Sequence, residues 1–311
     1  MPNKNPIKTW MSLSRLPFHS VGVLPFVLGS MLGWRVCSQM NIPVFGLGLA
    51  AVVLIMLMTY LNGECFDIKE DSLSAKIGKN PFSGGSQLIV HNIVDARRVK
   101  AVSLASITAA CAIGLLLQFY YKTGAWTIPL GATGILAGGL YSLPPIRLVK
   151  WGIGEMLIGY CYGWLPIAVG FYLQSDGIAP IVHWMAIPVA CTIFNVILIN
   201  EFPDYVPDST TGKRNLLVRI GKKKAAKIYA FAAAISWIIF FVSARMYFPY
   251  PVAILYFPVF LLSAVVAVMM LIGYYDKDKL LMFMCGGTII INLATTAIYI
   301  AGVVLTDGKI Q

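Results

Sequence analysis

Two clusters of acidic side chains carry the residues best suited to chemistry in this sequence of 311 residues. They are Glu64, Asp67, Glu70 and Asp71 in the first cluster, and Glu201, Asp204 and Asp208 in the second. Seven of the 13 acidic residues in the chain therefore fall in two short stretches. Each cluster holds two aspartates four positions apart, so that on a helix each pair lies on one face. The repeated spacing favours a shared function over two unrelated solvated helix ends.

Each aspartate pair needs a cation, because two neighbouring carboxylates repel one another. Oxygen-rich sites of this kind suit Mg²⁺, which uses one or two carboxylates, keeps several waters and takes further ligands from phosphate. The pairs Asp67–Asp71 and Asp204–Asp208 could together hold two ions around a diphosphate. Segments 76–86 and 211–215, which contain glycine and basic residues, follow the two clusters and are suited to approach an anion. The first of these segments lacks the spacing of a nucleoside triphosphate loop.

The elements that must position these residues are membrane helices. Hydrophobic residues make up 58% of the chain, charged residues only 12%, and the mean hydropathy is +0.77, which excludes an ordinary soluble protein. A helix needs about 20 mainly apolar residues to cross a bilayer. By that measure the predicted spans are 18–37, 43–64, 99–119, 124–143, 153–174, 178–200, 224–244, 250–273 and 281–304. The sequence therefore predicts an all-α, polytopic membrane protein with nine transmembrane helices in a single domain, 1–311.

The distribution of lysine and arginine predicts the orientation. With the N-terminus inside, all but four of the 24 basic residues fall in or beside inward segments; the exceptions are Arg35, Lys122, Arg245 and Lys309. Positive loops remain on the cytoplasmic side, so both acidic clusters are predicted to lie there. The net charge of +11 is therefore assigned to the inward loops and not to nucleic-acid binding. The six cysteines and three histidines show no spacing typical of a disulfide framework, a zinc site or haem ligation.

Three segments resemble the motifs of the UbiA superfamily of intramembrane prenyltransferases. Residues 200–221, NEFPDYVPDSTTGKRNLLVRIG, resemble its second aspartate-rich motif, and residues 62–71 resemble its first. Residues 141–147, YSLPPIR, are similar to its loop between helices four and five. One spacing departs from the family pattern: Asn200 precedes Asp204 by four residues, but Asn62 precedes Asp67 by five. At about 100° per residue, Asn62 points roughly 140° away from Asp67 unless the helix loosens.

The resemblance implies a ring of nine helices around a central cavity beneath a cytoplasmic cap. It also implies Mg²⁺-dependent transfer of an isoprenyl group from a polyprenyl diphosphate to an aromatic acceptor. Asp67, Asp71, Asp204 and Asp208 would be the metal-binding and catalytic residues, and by analogy with the family they would hold two ions. The implied substrate-binding residues are Asn62, Asn200, Lys79, Tyr141, Arg147, Lys213 and Arg214. For Tyr141 an interfacial aromatic anchor remains an equal interpretation.

The motif segments look most similar to the branch that prenylates 1,4-dihydroxy-2-naphthoate in menaquinone biosynthesis. The same metal site would serve other acceptors, including 4-hydroxybenzoate, homogentisate and a glycerol-phosphate lipid. An ion-coupled transporter is a different class that also places carboxylates in a helical bundle. Transporters place charges near the bilayer midplane, whereas both clusters here end predicted spans. A noncatalytic lipid-binding membrane protein is the third alternative. The expected location is the cell membrane, with the active site on the cytoplasmic side.

Overall fold

Long apolar helices dominate the structure, a computed structural model that describes residues 6–77, 85–175 and 177–306. No strand occurs in these ranges, which confirms the predicted all-α class. Eight segments of the described chain are long and apolar enough to cross a membrane. They are Leu16–Cys37, Ile42–Phe66, Ala96–Tyr120, Gly154–Ser175, Pro180–Asn200, Lys222–Tyr247, Pro251–Leu271 and Asp278–Leu305. Each of them overlaps a span predicted from the sequence.

The remaining predicted span, 124–143, forms a shorter helix. This helix covers the 16 residues Thr127–Ser142, about 24 Å at 1.5 Å per residue. It begins later than predicted because Lys122 and Gly124 adopt positive φ angles of 54° and 99°, which are incompatible with a continuous helix. The count of nine transmembrane helices therefore stays a prediction.

The helices are numbered in chain order. They are α1 (Pro6–Leu13), α2 (Ser20–Cys37), α3 (Ile42–Phe66), α4 (Ile68–Ile77), α5 (Ala96–Leu115), α6 (Thr127–Ser142), α7 (Gly154–Gly159), α8 (Leu165–Ser175), α9 (Pro180–Asn200), α10 (Tyr205–Thr211), α11 (Leu216–Ile220), α12 (Lys222–Tyr247), α13 (Pro251–Leu271) and α14 (Asp278–Leu305). A π-helical turn, Tyr160–Trp164, joins α7 to α8 within one span. The short helices α4, α10 and α11 follow the ends of α3 and α9, where the acidic clusters lie.

Helix α9 is fixed in place by polar contacts inside the apolar bundle. It packs against α12 and α14. Asn195 donates to the carbonyl oxygen of Tyr229 at 3.1 Å, and Asn292 donates to the hydroxyl of Thr192 at 2.9 Å. Such bonds satisfy amides that have no water to bind in a bilayer. The C-terminal end of α9, which carries the second acidic cluster, is thereby held relative to two other spans.

The first and last spans are also tied together. Helix α2 contacts α14. At the end of α2, the guanidinium of Arg35 donates to the carbonyl oxygens of Val303 and Val304 at 3.0 and 3.1 Å. These carbonyls belong to the last turn of α14, where no further helical partner is available. The side chain of Arg35 therefore supplies hydrogen-bond donors to the free carbonyl groups at the end of another helix.

The closest packing occurs between α2 and α8, where glycines replace side chains. A Cβ atom at Gly29 would lie 2.0 Å from the carbonyl oxygen of Ile167, and one at Gly170 would lie 2.3 Å from that of Phe26. The obstructing atoms belong to the backbone, so no rotamer change can relieve the contact. Small residues here allow the two helices to approach closely, as is common in membrane bundles.

We expect Gly29→Ala to lower the stability of the protein by about 1–3 kcal/mol, because the added methyl group forces α2 and α8 apart. The measurement is thermal unfolding in detergent. Gly46→Ala is the matched control, since a Cβ at that helical position meets no atom within 4 Å. An equal melting temperature for Gly29→Ala and Gly46→Ala would contradict the proposed close packing.

Candidate active site

The first aspartate pair lies at a break between two helices. Helix α3 ends at Phe66, Asp67 follows it, and α4 begins at Ile68. Asp67 has a φ of −99° and a ψ of 19°, outside the ideal helical region. The amide of Asp71 nevertheless donates to the carbonyl oxygen of Asp67 at 2.9 Å. The four-residue spacing therefore retains a helical hydrogen bond across the break.

The second aspartate pair repeats this arrangement. Helix α9 ends at Asn200, and Asp204 directly precedes α10 with a φ of −89° and a ψ of 5°. The amide of Asp208 donates to the carbonyl oxygen of Asp204 at 2.9 Å. Both motifs thus consist of an aspartate in the bridge region of backbone conformation, followed by one helical turn that ends on the second aspartate.

The two motifs meet at one cavity. Helices α4 and α10 contact each other, although more than 120 residues separate them in sequence. A cavity of about 210 Å³, called the polar chamber here, lies beside them. Its lining includes Asp67, Asp71, Asn200, Asp204, Asp208 and Lys213. The two aspartate pairs therefore line one common cavity, as the family resemblance implied.

Burial makes the polar chamber a costly place for negative charge. It raises the pKa of Asp71 to about 8, and the neighbouring carboxylates of Glu64 and Asp67 add to the effect. Burial also raises the pKa of Asp208 to about 6. The ammonium group of Lys213 lies 3.4 Å from Asp208. Burial alone would lower the pKa of Lys213, but Asp208 and the other aspartates raise it well above its ordinary value, so this side chain stays charged.

The chemistry of the chamber fits Mg²⁺ bound together with a phosphate ligand. Within the described residues, no three histidine, cysteine or acidic side chains lie close enough to enclose a metal ion by themselves. Mg²⁺ does not need such a cage, because it uses one or two carboxylates and completes its shell with water and phosphate oxygens. The side-chain oxygen of Asn200 is buried at the chamber and accepts no hydrogen bond from the described part of the chain. It is a free ligand for a metal-bound water or for the ion.

Glu64 stabilises the loop beside the first motif. Its carboxylate accepts hydrogen bonds from the amide and hydroxyl of Ser86 at 2.8 and 2.5 Å, and from the guanidinium of Arg15 at 3.3 Å. The preceding residue, Gly85, has a φ of +58°, and a Cβ there would lie 2.3 Å from the carboxylate of Asp71. The loop backbone therefore lies directly against a predicted metal ligand, which only glycine permits.

Arg147 does not line the chamber as a free phosphate-binding group. Its guanidinium forms ion pairs with Asp67 and with Glu70, the latter at 3.3 Å. The loop before α7 is thereby connected to the first motif. Arg147 neutralises part of the acidic cluster and lies against Asp67, and its predicted role in substrate binding stays a prediction.

Two other predicted substrate-binding residues, Asn62 and Arg214, do not line the chamber. Asn62 points towards α5, where its side-chain oxygen accepts from Ser103 at 2.8 Å, as the five-residue spacing had indicated. Arg214 is exposed, and the chamber lining contains its neighbour Lys213 instead. Neither Asn62 nor Arg214 lines the chamber in this structure, and their assignment to substrate binding stays a prediction. Lys79 lies outside the described residues.

A second, apolar chamber of about 300 Å³ adjoins the polar one. It runs between α3, α5, α6 and α8, from Tyr141 near one end of α6 to Thr127 at the other. Along that helix the chamber covers about 21 Å at 1.5 Å per residue. Cys111 and Leu115 of α5 line it and are also exposed on the outside of the bundle. The chamber therefore has the length and the lining of a binding site for a hydrocarbon chain, and it opens towards lipid.

Within the described ranges, four residues line both chambers and are called the collar: Thr59, Tyr141, Ile158 and Tyr162. Tyr60 lines the polar side next to them. Tyr141 lies where the two chambers meet, which favours a role in lining the path of the substrate over that of an interfacial anchor, and this role stays a prediction. Aromatic faces at this point can stabilise a positive charge that develops near the end of a bound chain.

Sequence reasoning missed Arg15, Tyr60, Tyr162 and Glu201 as residues of the polar chamber. Arg15 was counted only towards the positive charge of an inward segment, and nothing in the local sequence distinguishes it from Lys8. Glu201 belongs to the second acidic cluster, which was the one available signal. The tyrosines lie in apolar helices, where aromatic residues are common and carry no specific signal.

Comparisons with known proteins agree with the geometry. Residues 23–287 match the UbiA prenyltransferase family. The chain is 26% identical over 218 residues to a 1,4-dihydroxy-2-naphthoate octaprenyltransferase of Bacillus subtilis, covering 70% of this chain and 68% of that protein. It is 23% identical over 222 residues to a 2-carboxy-1,4-naphthoquinone phytyltransferase of Synechocystis, covering 71% and 69%.

The fold is also similar to that of a solved structure, a UbiA homolog from Archaeoglobus fulgidus bound to GPP and Mg²⁺. The TM-score is 0.63 at 15% sequence identity, with 95% of this chain and 99% of that chain covered. This likeness establishes the shared fold. The membrane helices of the present chain are therefore arranged as in a known prenyltransferase-family architecture.

We expect the affinity for Mg²⁺ to rise with pH between 6.5 and 8. Binding requires an ionised carboxylate, and the pKa of Asp71 is raised to about 8, so the metal must displace a proton below that pH. Each pH unit below the pKa of one such ligand lowers the apparent affinity about tenfold. Titration calorimetry of the purified protein measures the effect. Asp71→Asn should bind more weakly with a flatter dependence, and a pH-independent wild-type affinity would contradict the argument.

Proposed function

Because the chain belongs to the UbiA prenyltransferase family and is therefore a membrane prenyltransferase, we propose that it transfers a polyprenyl group from its diphosphate to 1,4-dihydroxy-2-naphthoate in a Mg²⁺-dependent reaction. The observation that carries the proposal is the convergence of Asp67–Asp71 and Asp204–Asp208 on one chamber that continues into an apolar one. A substrate with an anionic head and a hydrocarbon tail matches this pair of chambers.

The aspartates and Asn200 would hold two Mg²⁺ ions at the polar chamber, by analogy with the family. The metal supplies positive charge that binds the diphosphate and stabilises it as a leaving group. The protein contributes the fixed positions of the ligands, since both aspartate pairs follow helix breaks with the same backbone geometry. Preorganised ligands stabilise charge as it develops without reorganisation during the reaction.

Lys213 and Arg15 are the basic side chains that line the polar chamber. Lys213 lies against Asp208 and therefore enters the chamber beside the second motif. Arg15 lies against Glu64 and enters beside the first motif. Each donates hydrogen bonds to an anion more strongly than a neutral group would. We assign them to the oxygens of the diphosphate that the metal ions leave uncovered.

The collar would hold the first isoprene unit of the donor, at the bond that breaks. When that bond breaks, its electron pair leaves with the diphosphate and an allylic cation remains on the prenyl carbon. Tyr141 and Tyr162 present aromatic rings at this point, and an aromatic face attracts a cation. The rings also separate the cation from the water of the polar chamber, which would otherwise capture it.

The acceptor is assigned from the relatives. The Bacillus subtilis protein is named for 1,4-dihydroxy-2-naphthoate and the Synechocystis protein for the related 2-carboxy-1,4-naphthoquinone. Both names describe a bicyclic aromatic acid, which supports a naphthoate over 4-hydroxybenzoate, homogentisate or a glycerol-phosphate lipid. The excess of basic residues near the motifs supports an active site on the cytoplasmic side of the cell membrane.

Asp67→Asn and Asp204→Asn should each reduce prenyl transfer by at least about a hundredfold, since each removes a charged ligand that acts on the leaving group. The assay is Mg²⁺-dependent release of pyrophosphate from a prenyl diphosphate in the presence of acceptor. Asp278→Asn is the matched control, because Asp278 is exposed and lies away from the chamber. Near wild-type activity of both chamber variants would reject the metal assignment.

The identity of the acceptor is tested with one labelled prenyl diphosphate and a panel of acceptors, followed by mass spectrometry of the products. The proposal expects a prenylated product with 1,4-dihydroxy-2-naphthoate and little with 4-hydroxybenzoate or homogentisate. A product with another acceptor alone would leave the prenyltransferase activity intact and overturn the naphthoate assignment. Absence of pyrophosphate release with every donor, together with ion flux in liposomes, would favour a transporter.

Gly131→Phe should shorten the donor that the protein accepts. Gly131 lines the apolar chamber, and a Cβ there meets no atom within 4 Å, so a phenyl ring would enter the empty space. The position lies about 15 Å along α6 from Tyr141. We expect activity with geranyl diphosphate to persist while activity with long polyprenyl donors falls. Gly139→Phe is the control, because Gly139 has equal free space on the same helix but does not line the chamber.

A further inference from the structure

A basic and aromatic surface lies at the end of the bundle that carries the acidic clusters. It is formed by the loop between α6 and α7, the first turn of α7, and the segment around α11, and it is called the interfacial patch here. Its members are Lys150, Trp151, Ile153, Met156, Arg214 and Arg219. Val149 and Lys213, which directly precede two of these residues in sequence, line the polar chamber. The patch therefore belongs to the same segments that form part of the chamber wall.

Arg219 connects the segments of the patch. Its Nε donates to the carbonyl oxygen of Arg214 at 2.7 Å, and its Nη2 donates to that of Lys150 at 2.8 Å. Its aliphatic stem lies against the backbone of Gly152, where a Cβ atom would be 2.5 Å from Cδ of Arg219. An arginine side chain carries five N–H donors, so most of them remain for an anion after these two bonds.

The positive charge of the patch has no carboxylate partner in the described part of the chain. Lys150, Arg214 and Arg219 form no ion pair there. The sequence between α6 and α7 and that between α10 and α12 contain no acidic residue. Glu155, in the first turn of α7, is fully buried. The surface is therefore locally positive and suited to an anionic ligand.

Large apolar side chains lie beside the basic ones. Trp151 is 61% exposed, Ile153 50% and Met156 68%. Ile153 directly precedes the span Gly154–Ser175, and Met156 lies in its first turn. The indole N–H of Trp151 donates to the carbonyl oxygen of Ile146 at 2.8 Å, which fixes the ring against its own loop. Apolar side chains, a tryptophan and cations thus occur together at one end of a membrane helix, as is typical of the membrane–water interface.

We propose that the interfacial patch binds the headgroup of an anionic phospholipid from the surrounding bilayer. The lipid phosphate would lie at the guanidinium of Arg219, and an acyl chain would lie against Ile153 and Met156. Arginine and lysine side chains clustered beside a membrane helix attract anionic lipids in this way. A free phosphate ion has no acyl chain, so the exposed apolar side chains favour a lipid as the ligand.

A lipid bound at Arg219 would act on the polar chamber through the backbone. Arg219 bonds to the carbonyl groups of Arg214 and Lys150, which directly follow Lys213 and Val149 in sequence. A ligand that restrains this guanidinium therefore restrains two parts of the chamber wall. The expected result is a higher rate of prenyl transfer in an anionic membrane. This effect rests on the proposed function, whereas lipid binding itself does not.

The first test measures which lipid lies beside Trp151. The purified full-length protein is placed in nanodiscs that contain phosphatidylcholine and phosphatidylglycerol in equal amounts. One of the two lipids carries bromine on its acyl chains, because bromine quenches tryptophan fluorescence. We expect brominated phosphatidylglycerol to quench more than brominated phosphatidylcholine. The excess should disappear in Trp151→Leu and persist in Trp126→Leu, because Trp126 is similarly exposed, at 64%, but lies at the other end of α6.

The role of the basic side chain is tested with Arg219→Gln in the same nanodiscs. The apparent affinity for phosphatidylglycerol should fall about fivefold, which is the factor expected for the loss of one basic residue near an anionic surface. Arg98→Gln is the matched control, since Arg98 is also exposed and lies in the first turn of another membrane helix, α5. Full retention of the excess quenching in Arg219→Gln would overturn the proposal. Competition by soluble glycerol 3-phosphate would also overturn it, by indicating a site for small anions.

The second test measures kcat/KM for the prenyl diphosphate in nanodiscs with and without phosphatidylglycerol. The wild-type value should be higher with phosphatidylglycerol, and Arg219→Gln should lose this difference. A purely structural role of Arg219 would lower both values equally and leave their ratio unchanged. Arg219→Lys keeps the charge but lacks the planar fork that reaches both carbonyl oxygens. It should therefore still bind the lipid but lose the gain in activity.

The two tests separate lipid binding from its effect on the reaction. Lipid binding without any difference in wild-type kcat/KM between the two membranes would overturn the coupling to the chamber. Absence of turnover with every donor in both membranes would reject the proposed function, while the fluorescence result would still decide whether the patch binds an anionic lipid.

Discussion

Buried negative charge is the constraint on which the rest of the site depends. Four aspartates from two separate parts of the chain share one chamber at the end of an apolar helix bundle. Carboxylates at such a place are unfavourable without compensating charge, and a diphosphate would add more of the same sign. The neighbouring structure answers this problem with Arg147 on Asp67, Lys213 on Asp208, and a raised pKa at Asp71. The negative charge that remains uncompensated favours the binding of divalent cations together with a diphosphate substrate.

The positions of these charges come from the backbone as much as from the side chains. The helical path is interrupted at Asp67 in the first motif and over residues 201–204 in the second, and in each motif a helical turn leads to the second aspartate. The short helices that follow these interruptions, α4 and α10, contact each other. A pair of uninterrupted helices would carry the same residues past the chamber. The similarity of the two motifs in sequence therefore reflects one local geometry used twice.

The sequence predicted the helical class and both aspartate pairs, because composition and spacing determine them locally. It also indicated the departure of Asn62, since a five-residue interval rotates that side chain away from Asp67. It did not separate Lys213 from Arg214. Which of two adjacent cations turns inward depends on the positive φ of Gly212 and on the cap made by Asn215. The place of Arg15 was equally hidden, because its partner Glu64 lies 49 residues away along the chain.

The exposure of the apolar chamber on the outside of the bundle affects the free energy of moving a hydrocarbon tail into and out of the protein. The apolar chamber is exposed near Cys111 and Leu115. A hydrocarbon tail that enters there would pass from lipid directly into another apolar medium. Transfer of the same tail through water would cost about 0.8 kcal/mol for each methylene, or on the order of 16 kcal/mol for twenty carbons. Only the anionic head has to cross between environments. In the proposed reaction, cleavage would remove the anionic head of the donor, and the transferred tail would pass from the chamber into the bilayer without crossing water.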